Sequence, residues 1–438
     1  MTLTSTKTHP VTGEPSKRPK VLIVGAGIGG ATLGMLLTMA GIPFNIYERA
    51  SSVKLLGSAL FFNATTAKLF KQCGIYDQIM NIAKLTPSIE IANEDRDIDY
   101  TLDYAEAVPL FGSSGYIVSR PMMYDLLLRQ VPKANEGQLL ASDDEPLPFT
   151  NISLVGQTRP LDPTEFPNVG LPECQFIRVL GDNRPYAWTF FTTAQSSVCY
   201  SITHFLPSTT TNQSDSFKNT EWGPQAAEAM SVEWGDKITT VGDLIDLTPK
   251  EYISKVMLEE KVFETWHYKR VVLIGDACHE INPSGGSGAN NAIHDAITLA
   301  NWLNVLTNLP TTAEIENGFE KYKAERLPWV KQSFDSSLIF KVMVEANFKA
   351  KLVKLVSKYM PSWVSRKMLI RMTINQPEVS FLPPSEYLGS IAPAPQLSYD
   401  ETLAILQERE RKLQEGIAQI SSGPVVATAG AAPAATAV

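Results

Sequence analysis

Residues 271–296, VVLIGDACHEINPSGGSGANNAIHDA, restrict the folds open to this chain more than any other stretch. A β-branched apolar run ends in Gly275-Asp276. A Pro-Ser-Gly-Gly loop follows, and a helix-forming stretch opens through Gly288, Ala289 and Asn290. A strand that ends in an acid and turns through glycines into a helix gathers backbone N–H donors and the positive end of a helix dipole at one place. Such a place suits a phosphate or a flavin ring carbonyl. The small residues from Pro283 to Gly288, Gly286 among them, leave room for a flat ring alongside the backbone, and Asp276 stands where a carboxylate can bond sugar hydroxyls.

A second signature lies near the amino terminus. The buried strand Lys20–Val24 runs at once into Gly25-Ala-Gly27-Ile-Gly-Gly30 and a helical run that Gly41 terminates. A second strand, Phe44–Tyr47, finishes in Glu48, 23 positions after Gly25. Each glycine has a separate duty. Gly25 permits the tight turn, Gly27 lets backbone approach a pyrophosphate, and Gly30 allows close packing of helix on strand. Glu48 can accept both hydroxyls of an adenosine ribose. The order strand, glycine turn, helix, strand and acid predicts a dinucleotide site.

Further along, Gly57–Asn63 reads as loop, TTAKLFKQCGI as a helix stopped at Gly74, and Tyr116–Ser119 as an extended piece leading through Arg120 into another helix. Arg120 can carry positive charge toward a cofactor's phosphates or take part in a surface salt bridge. Residues 175–180, 186–193 and 197–205 alternate apolar with polar or aromatic residues and form an antiparallel meander that either covers a substrate or is simply structural. Residues 292–306 and 313–340 read as helical. The stretch 338–371 is amphipathic and strongly basic, which fits a membrane surface or a helical pair with a solvated basic face. The first 18 residues, the Ser/Thr/Asn-rich 208–220 and the tail from Ser421 have the composition of disordered or mobile chain.

Composition narrows the function classes. With 438 residues the chain can bury a large core, and a net charge of −8 without aromatic-basic clusters disfavours nucleic acid. Four scattered cysteines, Cys73, Cys174, Cys199 and Cys278, suit reduced thiols in a cytoplasmic protein, and no His/Cys spacing suggests a metal site. His279 reads as a structural histidine in its turn. No secretory signal and no uninterrupted apolar span of transmembrane length are visible. The fold expected is α/β, a doubly wound dinucleotide-binding fold with an interleaved, mostly antiparallel substrate-domain sheet and a helical C-terminal region. Its bounds are 19–132 and 266–330 for the dinucleotide part, 141–265 for the sheet and 331–415 for the helices.

Together, GAGIGG with Glu48-Arg49, the Ser-Arg-Pro around Arg120, and GDACHEINPSGGSGANNAIHDA resemble the single-component FAD-dependent aromatic hydroxylases, flavoprotein monooxygenases similar to para-hydroxybenzoate and salicylate hydroxylases. The match runs from about Lys20 to about Trp329. It looks nearest to fungal secondary-metabolism members that epoxidise or hydroxylate prenylated compounds. The resemblance implies FAD held through Gly25, Gly27, Gly30, Glu48, Arg49, the Gly57–Phe62 loop, Arg120, Asp276, Gly286, Gly288 and Ala289. It also implies reduction by NADPH (or NADH), reaction with O2 through a flavin C4a-hydroperoxide, and oxygen transfer to a hydrophobic small molecule. A Tyr or Arg of the substrate sheet assists in such proteins, and Tyr186 is the candidate.

One departure from the family pattern stands out. Family members carry a buried strand leading into an Asp-Gly pair between the arginine helix and the substrate sheet. Here QVPKANEGQLLASDDEPLPF leads straight toward the sheet, with a junction at 133–140. Loss of that strand predicts exposed apolar edges beside the cofactor and, as an alternative function, a flavin-fold protein impaired in catalysis.

Overall fold

A computed structural model describes residues 18–48, 59–93, 97–131, 136–138, 149–181, 186–205, 239–282, 286–344 and 348–421. Arg49, Pro283, the bulk of the expected lead, the 208–220 segment, the tail beyond Ser421, and residues 133–135 and 139–140 of the junction lie outside these residues.

The first unit is the expected βαβ. Strand β1 (Val21–Val24) pairs in parallel with β2 (Phe44–Glu48), and α1 (Ile28–Met39) connects them. Ala40 caps α1, and Gly41 follows it with φ +63°. Ten of the twelve α1 residues are buried, because the helix lies between the sheet and a second helix. At Gly34 a Cβ would stand 2.6 Å from Ile46 Cδ1 and 3.1 Å from Val131, so a larger residue would have to push these side chains aside.

Strand β3 (Ala59–Phe62) leads to α2 (Ala64–Gln72) and α3 (Tyr76–Met80). Strands β4 (Ala83–Thr86), β5 (Ser88–Ala92) and β6 (Ile98–Asp103) follow, then α4 (Ala107–Phe111), β7 (Gly115–Ser119) and α5 (Arg120–Leu128). Of the loop expected over Gly57–Asn63, Gly57 and Ser58 lie outside the described residues and Ala59–Phe62 is a strand. Its apolar run Ala-Leu-Phe-Phe pairs antiparallel with β7, Ala59 opposite Ser119 and Phe62 opposite Tyr116. Asn63 caps α2 by accepting the Thr65 N–H at 3.0 Å, and Gly74 (φ +69°) marks its end.

A short strand, β8 (Glu136–Gln138), adds in parallel to β2 and completes a sheet of order β1-β2-β8. The next described strand, β9 (Phe149–Gln157), belongs to a second sheet. Parallel sheets ordinarily have both faces covered. Here Ile23 faces the core, while Leu22 and Val24 on the other face are 62% and 72% exposed. That face of β1 is open at Leu22 and Val24.

The second sheet holds β10 (Phe176–Leu180), β11 (Tyr186–Thr192), β12 (Val198–Phe205) and β13 (Ile253–Glu259), with order β13-β9-β12-β11-β10-β5-β6. Every pairing in it is antiparallel except β10 with β5. The predicted meander is its centre. Two of its strands, β5 and β6, come from inside the 19–132 segment, so the two units are more interwoven than the sequence bounds suggest. One face packs Ile152, Leu154, Trp188, Ile202 and Ile253 under α6 (Thr239–Asp246). The other packs toward β3, β7 and the C-terminal helices.

Helix α7 (Gly288–Asn304) lies against α1 in the main core. Helices α8 (Thr312–Val344), α9 (Phe348–Lys358), α10 (Ser362–Thr373) and α11 (Leu397–Ser421) complete the chain. Among the described residues no helix is long and apolar enough to cross a membrane.

Candidate flavin site

The two signature turns meet. A Cβ on Gly29 would stand 3.3 Å from Ala292 and 3.5 Å from Ile274, and one on Gly275 would stand 3.1 Å from Ala292. The starts of α1 and α7 and the turn after Ile274 are thus in van der Waals contact. Gly25 takes φ +95° and donates its N–H to the Tyr47 carbonyl at 2.7 Å. Beneath it, a Cβ on Gly30 would come within 2.1 Å of the Gly25 carbonyl oxygen, so the third glycine is demanded by helix–strand packing. By contrast, nothing among the described residues lies within 4 Å of a Cβ built on Gly27 or Gly288. These two glycines border open space, as glycines that admit a ligand to the backbone must.

Both helix starts present unpaired donors. The first internal bonds are Ala31 N–H to Gly27 O and Asn291 N–H to Ser287 O, which leaves the N–H groups of the preceding residues free of helical acceptors. Neither helix has a capping side chain or an acid in its first turn. Ser287 Oγ is buried without a partner among the described residues. Uncapped donors, positive dipole ends and an orphaned hydroxyl at adjoining helix starts fit a pyrophosphate and a flavin carbonyl.

The acidic and basic residues stand at the rim. Glu48 Oε2 accepts the Ala26 N–H at 2.8 Å, so the acid that ends β2 steadies the glycine turn. Arg120 opens α5, is exposed, and makes no side-chain hydrogen bond or ion pair among the described residues. The surface salt bridge that was one reading of it is not formed there. Asp276 is exposed in a single 3₁₀ turn, and Gly286 holds φ +62° ahead of α7. Ala289 is half-buried against the main core.

Behind the site lies a buried ionic network. Asp295 Oδ1 accepts Arg326 Nε at 2.8 Å, and Oδ2 accepts the Gly275 N–H at 2.9 Å. His279 Nε2 lies 2.6 Å from the same Oδ2 and therefore carries a proton. Arg326 also donates to Asn291 Oδ1 at 2.8 Å, joining α8 to the first turn of α7. Burial pushes the Asp295 carboxyl up, but the His279 and Arg326 charges and their hydrogen bonds more than offset this and hold it down at about 2. Cys278, His279 and Asp295 are close enough to suggest a metal, yet both Asp295 oxygens are engaged by cationic or N–H donors. His279 is buried within this network. Asp295 and Arg326 escaped sequence reasoning, although an Asp inside an apolar helix was a visible signal.

Strand alternation places two of the expected site residues on faces turned away from Phe61. Phe62 was expected at the cofactor but is buried in the core, stacked on Tyr116 and edge-on to Phe70. Its neighbour Phe61 points the other way. Asn290 Nδ2 donates to the Phe61 carbonyl at 3.0 Å, and a Cβ on Gly286 would lie 3.8 Å from Phe61. Tyr186 stacks on His204 (centroids 4.7 Å apart) on the sheet face that packs under α6, away from Phe61. On the facing side of the sheet stand Phe176, Arg178, Thr189 and Phe191.

Arg178 is buried and donates through Nε to Thr189 Oγ1 at 3.1 Å. Burial draws its guanidinium down to about 10, partly countered by Tyr104, whose ring lies 4.8 Å from that of Phe61. A run of Gly286, Phe61, Tyr104 and Arg178 thus links the glycine loop to a cation on the sheet. No periodicity in the sequence singled out Arg178, because it occupies an ordinary alternating position.

The chain matches the family model of the FAD binding domain over residues 18–129 and 210–337. It is 39% identical over 125 residues to the FAD-dependent monooxygenase ptmM of Penicillium ochrochloron, a match covering 28% of this chain but only 29% of that relative. It is 26% identical over 383 residues to the FAD-dependent monooxygenase paxM of Penicillium paxilli, covering 73% of this chain and 77% of that one. Among solved structures, HpxO of Klebsiella pneumoniae complexed with FAD and uric acid superposes with a TM-score of 0.64 at 13% identity, covering 82% of this chain and 97% of that one. At that identity the likeness speaks for the fold alone.

Proposed function

Because the chain belongs to the FAD binding domain family, we propose that it is an FAD-dependent, NAD(P)H-consuming monooxygenase that hydroxylates or epoxidises a hydrophobic, aromatic or prenylated secondary metabolite. The observation that carries this reading is the meeting of two uncapped helix starts at Gly27 and Gly288, both bordering open space. The fungal relatives named as FAD-dependent monooxygenases support the reaction class.

When bound, FAD supplies the redox and oxygen-activating chemistry. The residues of this chain do the rest. The N–H groups at the starts of α1 and α7 hold the phosphates and the ring edge, Glu48 and Asp276 take the sugar hydroxyls, and Arg120 offsets phosphate charge. Phe61, Phe176 and Phe191 exclude water from the face where substrate lies. Arg178, fixed by Thr189, orients an electron-rich or acidic group of the substrate. The Asp295–Arg326 pair keeps the Gly275 turn and the α7 start in register.

The test is the visible absorption spectrum of the purified chain with its flavin-to-protein ratio, followed by NADPH-dependent O2 consumption. Bound flavin with substrate-stimulated consumption supports the reading. A second reading, a flavin-fold protein without turnover, draws on the uncovered Leu22 and Val24 face of the parallel sheet. A colourless chain that ignores added FAD would favour it.

A further inference from the structure

Helix α9 carries an apolar stripe on the wrong side for a packed helix. Leu352, Leu355, Val356 and Tyr359 fall at i, i+3, i+4 and i+7, one helical face. All four are exposed, from 48% at Leu352 to 73% at Tyr359, and Trp363 at the start of α10 extends the patch at 61%. The helices do not lack a buried side. Val353 packs on the cluster of Ile91, Leu180 and Met343, and Leu369 and Ile370 pack on Tyr104, Leu110 and Phe111. Both are docked to the protein by one face and present a second apolar face outward.

The charge around this face is one-sided. Residues 348–373 contain seven Lys or Arg and no Asp or Glu, in a chain of net charge −8. Arg366 and Lys367 are exposed, and Lys367 lies over the Trp363 ring at 5.1 Å. Of the groups facing it, Asp99 on β6 approaches Lys358 at 3.7 Å, and Gln332 on α8 holds Arg371. An apolar stripe edged by cations, with a Trp and a Tyr whose rings suit the boundary between headgroups and hydrocarbon, has the make-up of an interfacial helix. A second copy is a poor occupant, since a two-fold contact would set this basic face against itself.

We propose that the outer face of α9 and the start of α10 docks the protein on an anionic lipid bilayer. The apolar stripe enters the headgroup layer while the flanking cations meet lipid phosphate and carboxylate. The face goes beyond the flavin chemistry and does not depend on it.

The test is co-sedimentation of the full chain with vesicles of phosphatidylcholine alone and of phosphatidylcholine containing phosphatidylserine. At low salt the expected result is at least ~10-fold more protein pelleted with the anionic vesicles, falling several-fold as salt shortens the Debye length. The exposed-site variants Val356→Ser/Tyr359→Ser/Trp363→Ser and, separately, Arg366→Glu/Lys367→Glu should each abolish the excess while circular dichroism melts stay unchanged. Equal pelleting on both vesicle types, no pelleting at low salt, or full retention by either variant overturns the proposal. So does a salt-resistant dimer that the serine variant dissolves, which would assign the face to a second copy.

Discussion

Replacing Asp295 by Asn tests the structural reasoning most directly. The carboxylate meets three donors, the Gly275 N–H, the His279 Nε2–H and Arg326 Nε, at 2.6–2.9 Å. An amide of the same shape keeps one acceptor oxygen and sets an NH2 group against N–H donors. Arg326, 1% exposed, then holds a buried charge without its counter-ion. Breaking a buried pair from one side typically costs roughly 3–5 kcal/mol, a large share of the about 5–15 kcal/mol that stabilises a domain. With a urea dependence of about 3 kcal/mol per molar, the unfolding midpoint should fall by about 1–1.7 M. The double variant Asp295→Asn/Arg326→Met removes the stranded cation and should recover part of that loss, which a double-mutant cycle would show as coupling. A midpoint change below about 0.3 M, or a double variant no more stable than the single, would refute the claim that charge compensation holds this layer together.

Other expectations follow from the same geometry. Gly30→Ala should lower stability in thermal melts, because its Cβ meets the Gly25 carbonyl. Gly27→Ala should fold normally and yet copurify with less flavin; equal behaviour of the two would contradict the division of duties between these glycines. Arg120→Ala, at an exposed position without a side-chain partner among the described residues, should leave stability within about 0.5 kcal/mol while weakening flavin retention, as read by the flavin-to-protein ratio after dialysis. Arg178→Met should raise KM for substrate more than it lowers kcat, and a change confined to kcat would speak against an orienting role. Because the Asp295 carboxyl is held down at about 2 against an ordinary value of about 3.9, its contribution is fully present above that ordinary value and is lost as pH falls toward 2. Acid titration of unfolding should show this limb in the native chain and a flatter one in Asp295→Asn.

Much of this protein was legible in sequence because its signals are local. The Gly25–Glu48 unit needs only a strand, a turn and a helix in succession, and backbone geometry dictates where glycine must stand. The 271–296 segment is local in the same sense, and alternation in 175–205 predicted the central meander from side-chain period alone. The shortness of the connection from α5 to the second sheet was also legible; among its described residues it holds only the three-residue β8, and Leu22 and Val24 on the neighbouring β1 are exposed. What tertiary structure decided was which face each residue occupies and what meets it there. Phe61 rather than Phe62 turns toward the glycine loop, and Arg178 rather than Tyr186 lies on the facing side of the sheet, because a one-residue change of parity reverses a strand's faces. Asp295 and Arg326 are 31 positions apart, and only the packing of α8 on α7 makes them a pair. The apolar stripe of α9 could equally have been core, and its exposure was settled by which side of the helix the second sheet had already claimed.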